Sequence, residues 1–372
     1  MNGAAHPPAT GRSMKILLVR LRLIGDVVLT TPIVRAVRRR FPDAHLTYVI
    51  EPAAAPVLAG NPHLSELIVA PRRRGLGRLG DDLRLATRVR RARFDVAIDL
   101  HGGPRSAWLT WASRAPMRIG YTIAGRTWMY THVVPRSPDL TPRHSVQNQW
   151  DLLTPLGIGP SDPARDALEM PESADAAALV DTRLAAAGIG RDHALVLIHV
   201  SAGNPFRRWP VQRFIELVVG LAQRDPMRRI VLNSGPSDWA AARHVAEHAR
   251  QQLGPMADRV PDVGEFDLDG FRALVARAAV YIGGDTGPTH VAATTTTPIV
   301  ELLGPTLAER SRPWRDPRWF SETVDMGALP CRPCHQHRCE PGDFRCLTGI
   351  SSGRVIEAAE RALGSTPRAH AE

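Results

Sequence analysis

Val280-Tyr281-Ile282-Gly283-Gly284-Asp285-Thr286-Gly287-Pro288-Thr289-His290-Val291-Ala292-Ala293 decides how this chain is read. The first three residues form a short apolar run suited to a buried strand, and the last three begin a small-residue helix. Glycines at the joint allow a sharp turn and let a ligand approach backbone N–H groups. Thr286 is placed to cap the helix, whose N-terminus carries the partial positive charge that suits a phosphate. Asp285 and His290 bracket the turn with polar groups. The spacing is neither the dinucleotide nor the P-loop fingerprint. A glycine-rich turn with no ligand is the commoner meaning of such a pattern, but here a second turn of the same kind argues against it.

The second turn is Arg20-Leu21-Arg22-Leu23-Ile24-Gly25-Asp26, which follows the apolar run Ile16-Leu17-Leu18-Val19. That run reads as a strand of a parallel sheet, buried on both faces. Val27, Val28, Pro32, Ile33, Val34 and Val37 then suit a helix with one apolar face. Asp26 has two readings, a helix cap worth about 1 kcal/mol or a carboxylate held at the ligand-binding edge of an open α/β sheet. Spacing alone leaves both standing.

Working outward, apolar runs at 15–19, 45–50 and 94–100 alternate with helical segments at 26–40 and 80–93, the signature of βαβ units. The rhythm fades through a proline-rich stretch, with a helix near 143–156 and a linker around 158–175. It restarts with strands at 195–200, 229–233, 280–282 and 299–303. The helices between them are expected at 211–223, 237–252 and 267–279. A last helix, 352–363, comes too late for the second sheet's rhythm. The expected organisation is a tail over 1–13, an α/β domain over 14–170 and a second over 171–350, with the terminal helix at 351–364 and a tail at 365–372.

The chain has 372 residues, of which 44% are hydrophobic and 23% charged, as in ordinary globular proteins. No run approaches the ~18 apolar residues of a membrane span. Residues 1–13 lack a signal peptide's apolar core, so a cytoplasmic protein starting at Met14 is the expectation. Charge is uneven: residues 1–150 hold 23 basic against 9 acidic side chains, and the remainder 24 against 28. A half with net charge +14 calls for an anionic partner. Lys15 is the sole lysine, so compositional bias explains the choice of Arg but not its asymmetry. Arg38-Arg39-Arg40 and Arg72-Arg73-Arg74 look like nucleic-acid patches, yet aromatics make up 5% and no nucleic-acid motif is present. A phosphorylated substrate or an anionic membrane surface fits better than nucleic acid.

Taken together, several segments resemble glycosyltransferase family 9, the lipopolysaccharide heptosyltransferases. They are Arg20 with Gly25-Asp26-Val27-Val28-Leu29-Thr30-Thr31-Pro32, Asp99-Leu100-His101-Gly102 with Arg105-Ser106, and Arg118-Ile119-Gly120-Tyr121. To these are added His199-Val200-Ser201-Ala202-Gly203, Arg207-Arg208-Trp209-Pro210, the Gly284–His290 turn and the cysteine-bearing tail. The resemblance implies an α/β GT-B fold: two facing Rossmann-like domains with parallel sheets, the first for acceptor and the second for nucleotide sugar. The last helix would return to the first domain. It implies inverting transfer of heptose from ADP-heptose without an essential metal or other cofactor. The acceptor would be a phosphorylated glycolipid of the lipopolysaccharide core, or a related surface glycan, at the inner face of the cytoplasmic membrane. By the same resemblance Asp26 and Arg207 are catalytic, and Arg20, His101 and Arg105 meet the acceptor. Ser201, Asn204, Asp238, Asp285, Thr286, Gly287 and His290 meet the donor. Arg207 stands where the family usually has Lys, which keeps the charge and alters the geometry of phosphate contact.

Other signals point elsewhere. Asp267-Leu268-Asp269 is a DxD triplet of the metal-holding type, but it directly precedes a helix and reads as a cap. Cys331, Cys334, Cys339 and Cys346 are spaced C-x2-C-x4-C-x6-C, with His335 and His337 between them. A compact cysteine loop is expected, and zinc is the alternative. His199 and the pair Trp108 and Trp111 read as structural. Rival functions are a nucleotide-sugar 2-epimerase of the same fold class and a silent sugar-nucleotide-binding protein. The absence of G-x-G-x-x-G disfavours an NAD enzyme.

Overall fold

The computed structural model describes residues 13–71, 76–138, 141–200 and 204–365. Expectations for residues 1–12, Arg72–Arg74, Ser201 and the end of the C-terminal tail lie outside the described residues. The chain forms two compact units, one running to Pro138 and including Arg143–Pro171, the other from Glu172 onward.

In the first unit six strands make one parallel sheet. They are β1 (Lys15–Val19), β2 (His45–Ile50), β3 (Glu66–Val69), β4 (Val96–Asp99), β5 (Met117–Tyr121) and β6 (His132–Val134). Their order is β3-β2-β1-β4-β5-β6. Ile16, Leu17, Leu18 and Val19 are all fully buried, as a central strand covered on both faces requires. Leu85, Ala86 and Val89 of the helix Leu76–Arg91 close one face, packed with Leu17, Val19 and Leu109.

The second unit has β7 (Ala194–His199), β8 (Arg228–Asn233), β9 (Val280–Gly284), β10 (Ile299–Leu302) and β11 (Ser321–Val324). The order is β11-β10-β9-β7-β8, again all parallel. Both orders reverse direction once, between β1 and β4 in the first sheet and between β7 and β9 in the second. At such a switch point neighbouring loops diverge and leave a crevice at the strands' carboxyl ends.

The terminal helix, Ser352–Ser365, packs within the second unit, which corrects the expected return to the first. Its apolar face, Val355, Ile356, Ala358, Ala359 and Ala362, joins the core built on β7, β9 and β10. Gly220 of the helix Val211–Arg224 makes room for it: a Cβ there would stand 2.6 Å from Ile356 Cδ1. Arg228 on β8 grips Glu360 with two 2.7 Å hydrogen bonds, and Arg361 pairs with Glu322 of β11 at 2.7 Å. Among the described residues, no helix is long and apolar enough to cross a membrane.

Candidate functional site

Each switch point gathers a polar constellation. In the first unit, the turn after β1 leads into the short helix Ile24–Val28, which carries Asp26 in its first turn. Asp26 Oδ2 accepts from the Leu23 N–H at 3.2 Å and pairs with Arg20 Nη2 at 2.8 Å. The N-cap is Leu23 and Asp26 stands at N3, so the N-cap reading gives way to a bond back to the cap residue's N–H. Oδ2 takes that bond and the ion pair, while Oδ1 has no partner among the described residues. Arg20 is nearly buried and fixed by the Arg22 and Leu100 carbonyls, at 3.1 and 2.6 Å. The carboxylate is 40% exposed, open to an incoming hydroxyl.

Leu100 begins the loop after β4. Asp99, fully buried, organises that loop: its Oδ1 accepts from the N–H groups of His101 (2.9 Å) and Gly102 (2.8 Å). Its Oδ2 accepts from Ser106 Oγ at 3.1 Å and Tyr130 Oη at 2.7 Å. Burial raises the Asp99 pKa above the usual carboxylate range despite these four donors. Gly120 on β5 opens the way for Tyr130, since a Cβ there would overlap the Tyr130 ring. His101 is held neutral, its pKa pushed down to about 4 by burial and then by the Arg20 charge. Its Nδ1 is buried without a hydrogen-bond partner among the described residues.

Arg105 sits differently from its sequence reading. Its guanidinium is nearly buried and bonded to Glu51 (3.0 Å), Asp82 (2.8 Å) and the Pro71 carbonyl (2.9 Å). It ties the helix Leu76–Arg91 to the sheet edge.

In the second unit, the turn after β7 supplies Asn204 and Arg207, and the turn after β9 supplies Asp285–Gly287. Arg207 Nη1 donates to the Asp285 carbonyl at 3.0 Å and makes an off-angle ion pair with Asp285 Oδ2 at 3.1 Å. Arg207 Nε donates to Gln336 Oε1 at 2.8 Å. Asp285 is buried, and its Oδ1 also accepts from Ser311 Oγ. Thr286 stands at the N-cap position of the helix Gly287–Ala292, yet its Oγ1 donates to the Gly284 carbonyl at 3.3 Å instead of accepting a cap bond. The expected side-chain cap is absent because the hydroxyl turns back to the strand end. His290 is buried in this short helix.

Asp238 is buried and held by Ser237 Oγ at 2.8 Å and Arg208 Nη2 at 3.3 Å. Beside it, Arg207, Trp209, Phe214 and Gly284 line a small pocket.

Sequence reasoning missed Tyr130, Gln336 and Glu301. Glu301 on β10 is fully buried, with its pKa driven well above the ordinary carboxylate value by burial and then by Asp285. An acidic residue inside an apolar strand was the available signal. Asp267 Oδ1 accepts from the Gly270 N–H at 2.9 Å, so the DxD triplet begins with a helix cap. His199 is buried against Asn233 and Phe271, with its pKa lowered to about 4 by burial. The four cysteines are free and half-buried around a cavity of about 400 Å³. Burial, reinforced by the neighbouring thiols, raises the Cys346 pKa to about 11. No three His, Cys, Asp or Glu side chains among the described residues are gathered as a metal site.

The model of the family described as glycosyltransferase family 9 (heptosyltransferase) matches residues 83–341. A lipopolysaccharide heptosyltransferase 3 of Escherichia coli is 26% identical over 93% of this chain and 98% of its own length. Among solved structures, a family 9 glycosyltransferase of Veillonella parvula superposes with a TM-score of 0.82 at 24% identity, covering 96% of this chain and 100% of that one. The E. coli ADP-heptose LPS heptosyltransferase II gives 0.73 at 20% identity, covering 94% and 98%.

Proposed function

The chain belongs to glycosyltransferase family 9 and is a glycosyltransferase, and we propose that it moves heptose from ADP-heptose to a lipopolysaccharide core acceptor or related surface glycan. The observation that carries this reading is Asp26, a half-exposed carboxylate fixed by Arg20 at a sheet switch point, with Oδ1 unpartnered among the described residues. That geometry suits a general base. Asp26 takes the acceptor hydroxyl's proton as the oxygen attacks the anomeric carbon from the face opposite the leaving group. The bond to the diphosphate breaks, and ADP leaves with its electron pair.

Arg207 supplies charge for the departing diphosphate, joined by backbone N–H groups after β9. Two of its nitrogens are tethered by Asp285 and Gln336, so Nη2, which has no partner among the described residues, is the donor left for phosphate. That narrows the two-pronged grip an untethered Arg would offer. A cation bound in this way can replace a metal, which is the basis for proposing metal-free transfer. His101, neutral and beside Asp26, is suited to hydrogen-bond an acceptor sugar.

The acceptor class follows from the relatives' names and from the basic first half of the chain. We place the enzyme at the inner face of the cytoplasmic membrane, attached peripherally. The helix Leu76–Arg91 supports this, since Leu79 and Leu83 are exposed a turn apart and Arg84, Arg88, Arg90 and Arg91 are exposed beside them. The test is incubation of the enzyme with ADP-heptose and a detergent-solubilised core glycolipid in EDTA, with the product's anomeric configuration read by NMR. Transfer with inversion is expected. A metal requirement, or epimerised sugar nucleotide as the product, would refute the reading.

A further inference from the structure

We propose that Gln336 is a positioning residue of the nucleotide-sugar cradle, which makes the cysteine-bearing loop part of the donor site. This rests on the donor reading above and extends it to a segment that reading leaves idle. Gln336 Oε1 accepts two hydrogen bonds, from Arg207 Nε at 2.8 Å and from Asn204 Nδ2 at 2.6 Å. Asn204 itself is oriented, because its Oδ1 accepts from the Phe206 N–H at 3.0 Å. Two donors converging on one atom fix which end of the Gln336 amide faces them, since an NH2 there would oppose both.

The loop is built to hold that amide still. Gln336 has φ +59, a left-handed conformation uncommon for a residue with a side chain. Arg332 anchors the loop's start, donating to the Thr306 carbonyl at 3.1 and 2.7 Å and pairing with Asp325 at 2.7 Å. The Cys334 N–H donates to the Pro305 carbonyl at 3.3 Å. On the far side, Phe344 packs on Phe206 with ring centroids 5.5 Å apart, directly beside the Arg207 turn. The four cysteines line the cavity enclosed by this loop together with Gln336 and Phe206.

Physically, Arg207 is a long side chain that must present Nη2 in one place. Asp285 holds one nitrogen and Gln336 another, so the rotamer freedom of the guanidinium is removed before the diphosphate arrives. Losing that preorganisation weakens binding by roughly three- to tenfold, the cost of immobilising one such side chain. The remaining Gln336 N–H groups stay available as further donors.

The experiment compares the full-length wild type with Gln336→Ala and Gln336→Met, the second keeping the volume without an acceptor oxygen. ADP affinity is measured by calorimetry, donor and acceptor KM are measured separately, and thermal unfolding checks the fold. Both variants are expected to unfold like the wild type, to bind ADP about three- to tenfold more weakly and to show a raised donor KM with the acceptor KM unchanged. ADP should also slow alkylation of the loop cysteines by N-ethylmaleimide in the wild type. Unchanged ADP affinity in Gln336→Ala, or wild-type affinity in Gln336→Met, overturns the proposal, the latter by showing that only packing matters. If the wild type binds another nucleoside diphosphate in place of ADP, the donor reading fails, and the same variants compared with that nucleotide still decide the role of Gln336.

Discussion

The two switch-point sites use the same place in a parallel sheet for opposite chemistry. In the first unit the cation, Arg20, is nearly buried and the carboxylate of Asp26 reaches solvent. In the second the carboxylate of Asp285 is buried and the cation Arg207 is 30% exposed. On the proposed function, the outward group is the one offered to substrate and the inward group is its holder. An exposed carboxylate with a spare oxygen can take a proton, and an exposed guanidinium with a spare nitrogen can receive a leaving phosphate. Topology sets where a site forms, and the burial of one partner sets what it does.

The strongest break of this comparison is Asp26→Asn, which removes the outward carboxylate while keeping its shape. Turnover is expected to fall roughly 10²-fold or more, the scale of general-base loss, with ADP affinity unchanged by calorimetry. Wild-type turnover would end the distinction between the sites. Next comes Arg207→Ala, which removes the outward cation. Loss of a charged hydrogen bond of about 1.5–3 kcal/mol corresponds to roughly 10- to 100-fold weaker ADP binding. The acceptor KM should not move, and a shift in it instead would mean that the two constellations do not divide the substrates.

A third expectation uses the charge contrast between the halves. Flotation with vesicles of phosphatidylcholine and phosphatidylglycerol should show salt-sensitive binding that is absent with pure phosphatidylcholine. Arg90→Gln with Arg91→Gln should weaken it up to roughly thirtyfold, on the scale of about 1 kcal/mol per basic residue near an anionic surface. Equal binding to both vesicle types would reduce the +14 of residues 1–150 to composition.

The smallest effect concerns the buried acid Glu301 on β10. Its folded-state pKa lies well above the unfolded value of 4.5, so the folded protein keeps a proton that the unfolded chain releases. Stability therefore falls as pH rises past the unfolded value and continues to fall until the folded pKa is reached. Glu301→Gln removes this loss, and at pH 8 its Tm should exceed that of the wild type by about 2–4 °C, the shift made by ~1 kcal/mol. The difference should vanish near pH 4. A Tm gap that does not change with pH would show that Glu301 holds no extra proton in the folded state.

The sequence made the two switch-point strands legible because β1 and β9 are short apolar runs ending in glycine-bearing turns, which is all that a doubly covered strand requires. Asp26 and Asp285 were legible for the same reason, lying within a few residues of those ends, and Asn204 likewise after the apolar run of β7. The short strands β3, β5, β6 and β11 were not, since three to five residues near prolines and surface loops, without a continuous apolar run, leave too little periodicity. The terminal helix was misplaced because strand–helix rhythm says nothing about where a helix goes after the last strand. Gly220 and Arg228, which receive it, lie more than a hundred residues upstream. Gln336 stayed hidden among four cysteines and two histidines that drew the eye to thiol and metal chemistry. Its contacts lie 132 and 129 residues away, at Asn204 and Arg207. Arg105 was read through its motif, but its burial on Glu51 and Asp82 depends on tertiary packing that a motif does not encode.

Gly120 carries a consequence for anyone mapping this enzyme by random mutagenesis. The missing side chain on β5 is the window through which Tyr130 reaches Asp99, and Asp99 shapes the loop that presents His101. A screen that scores only lost transfer would rank Gly120→Ala beside genuine sugar-contacting positions, although glycine has no side chain with which to hold a sugar. Such a false positive is recognisable by its genetics: the defect should be eased by a second change that shrinks residue 130, such as Tyr130→Ser, whereas no shrinking at position 130 should restore a lost Asp26.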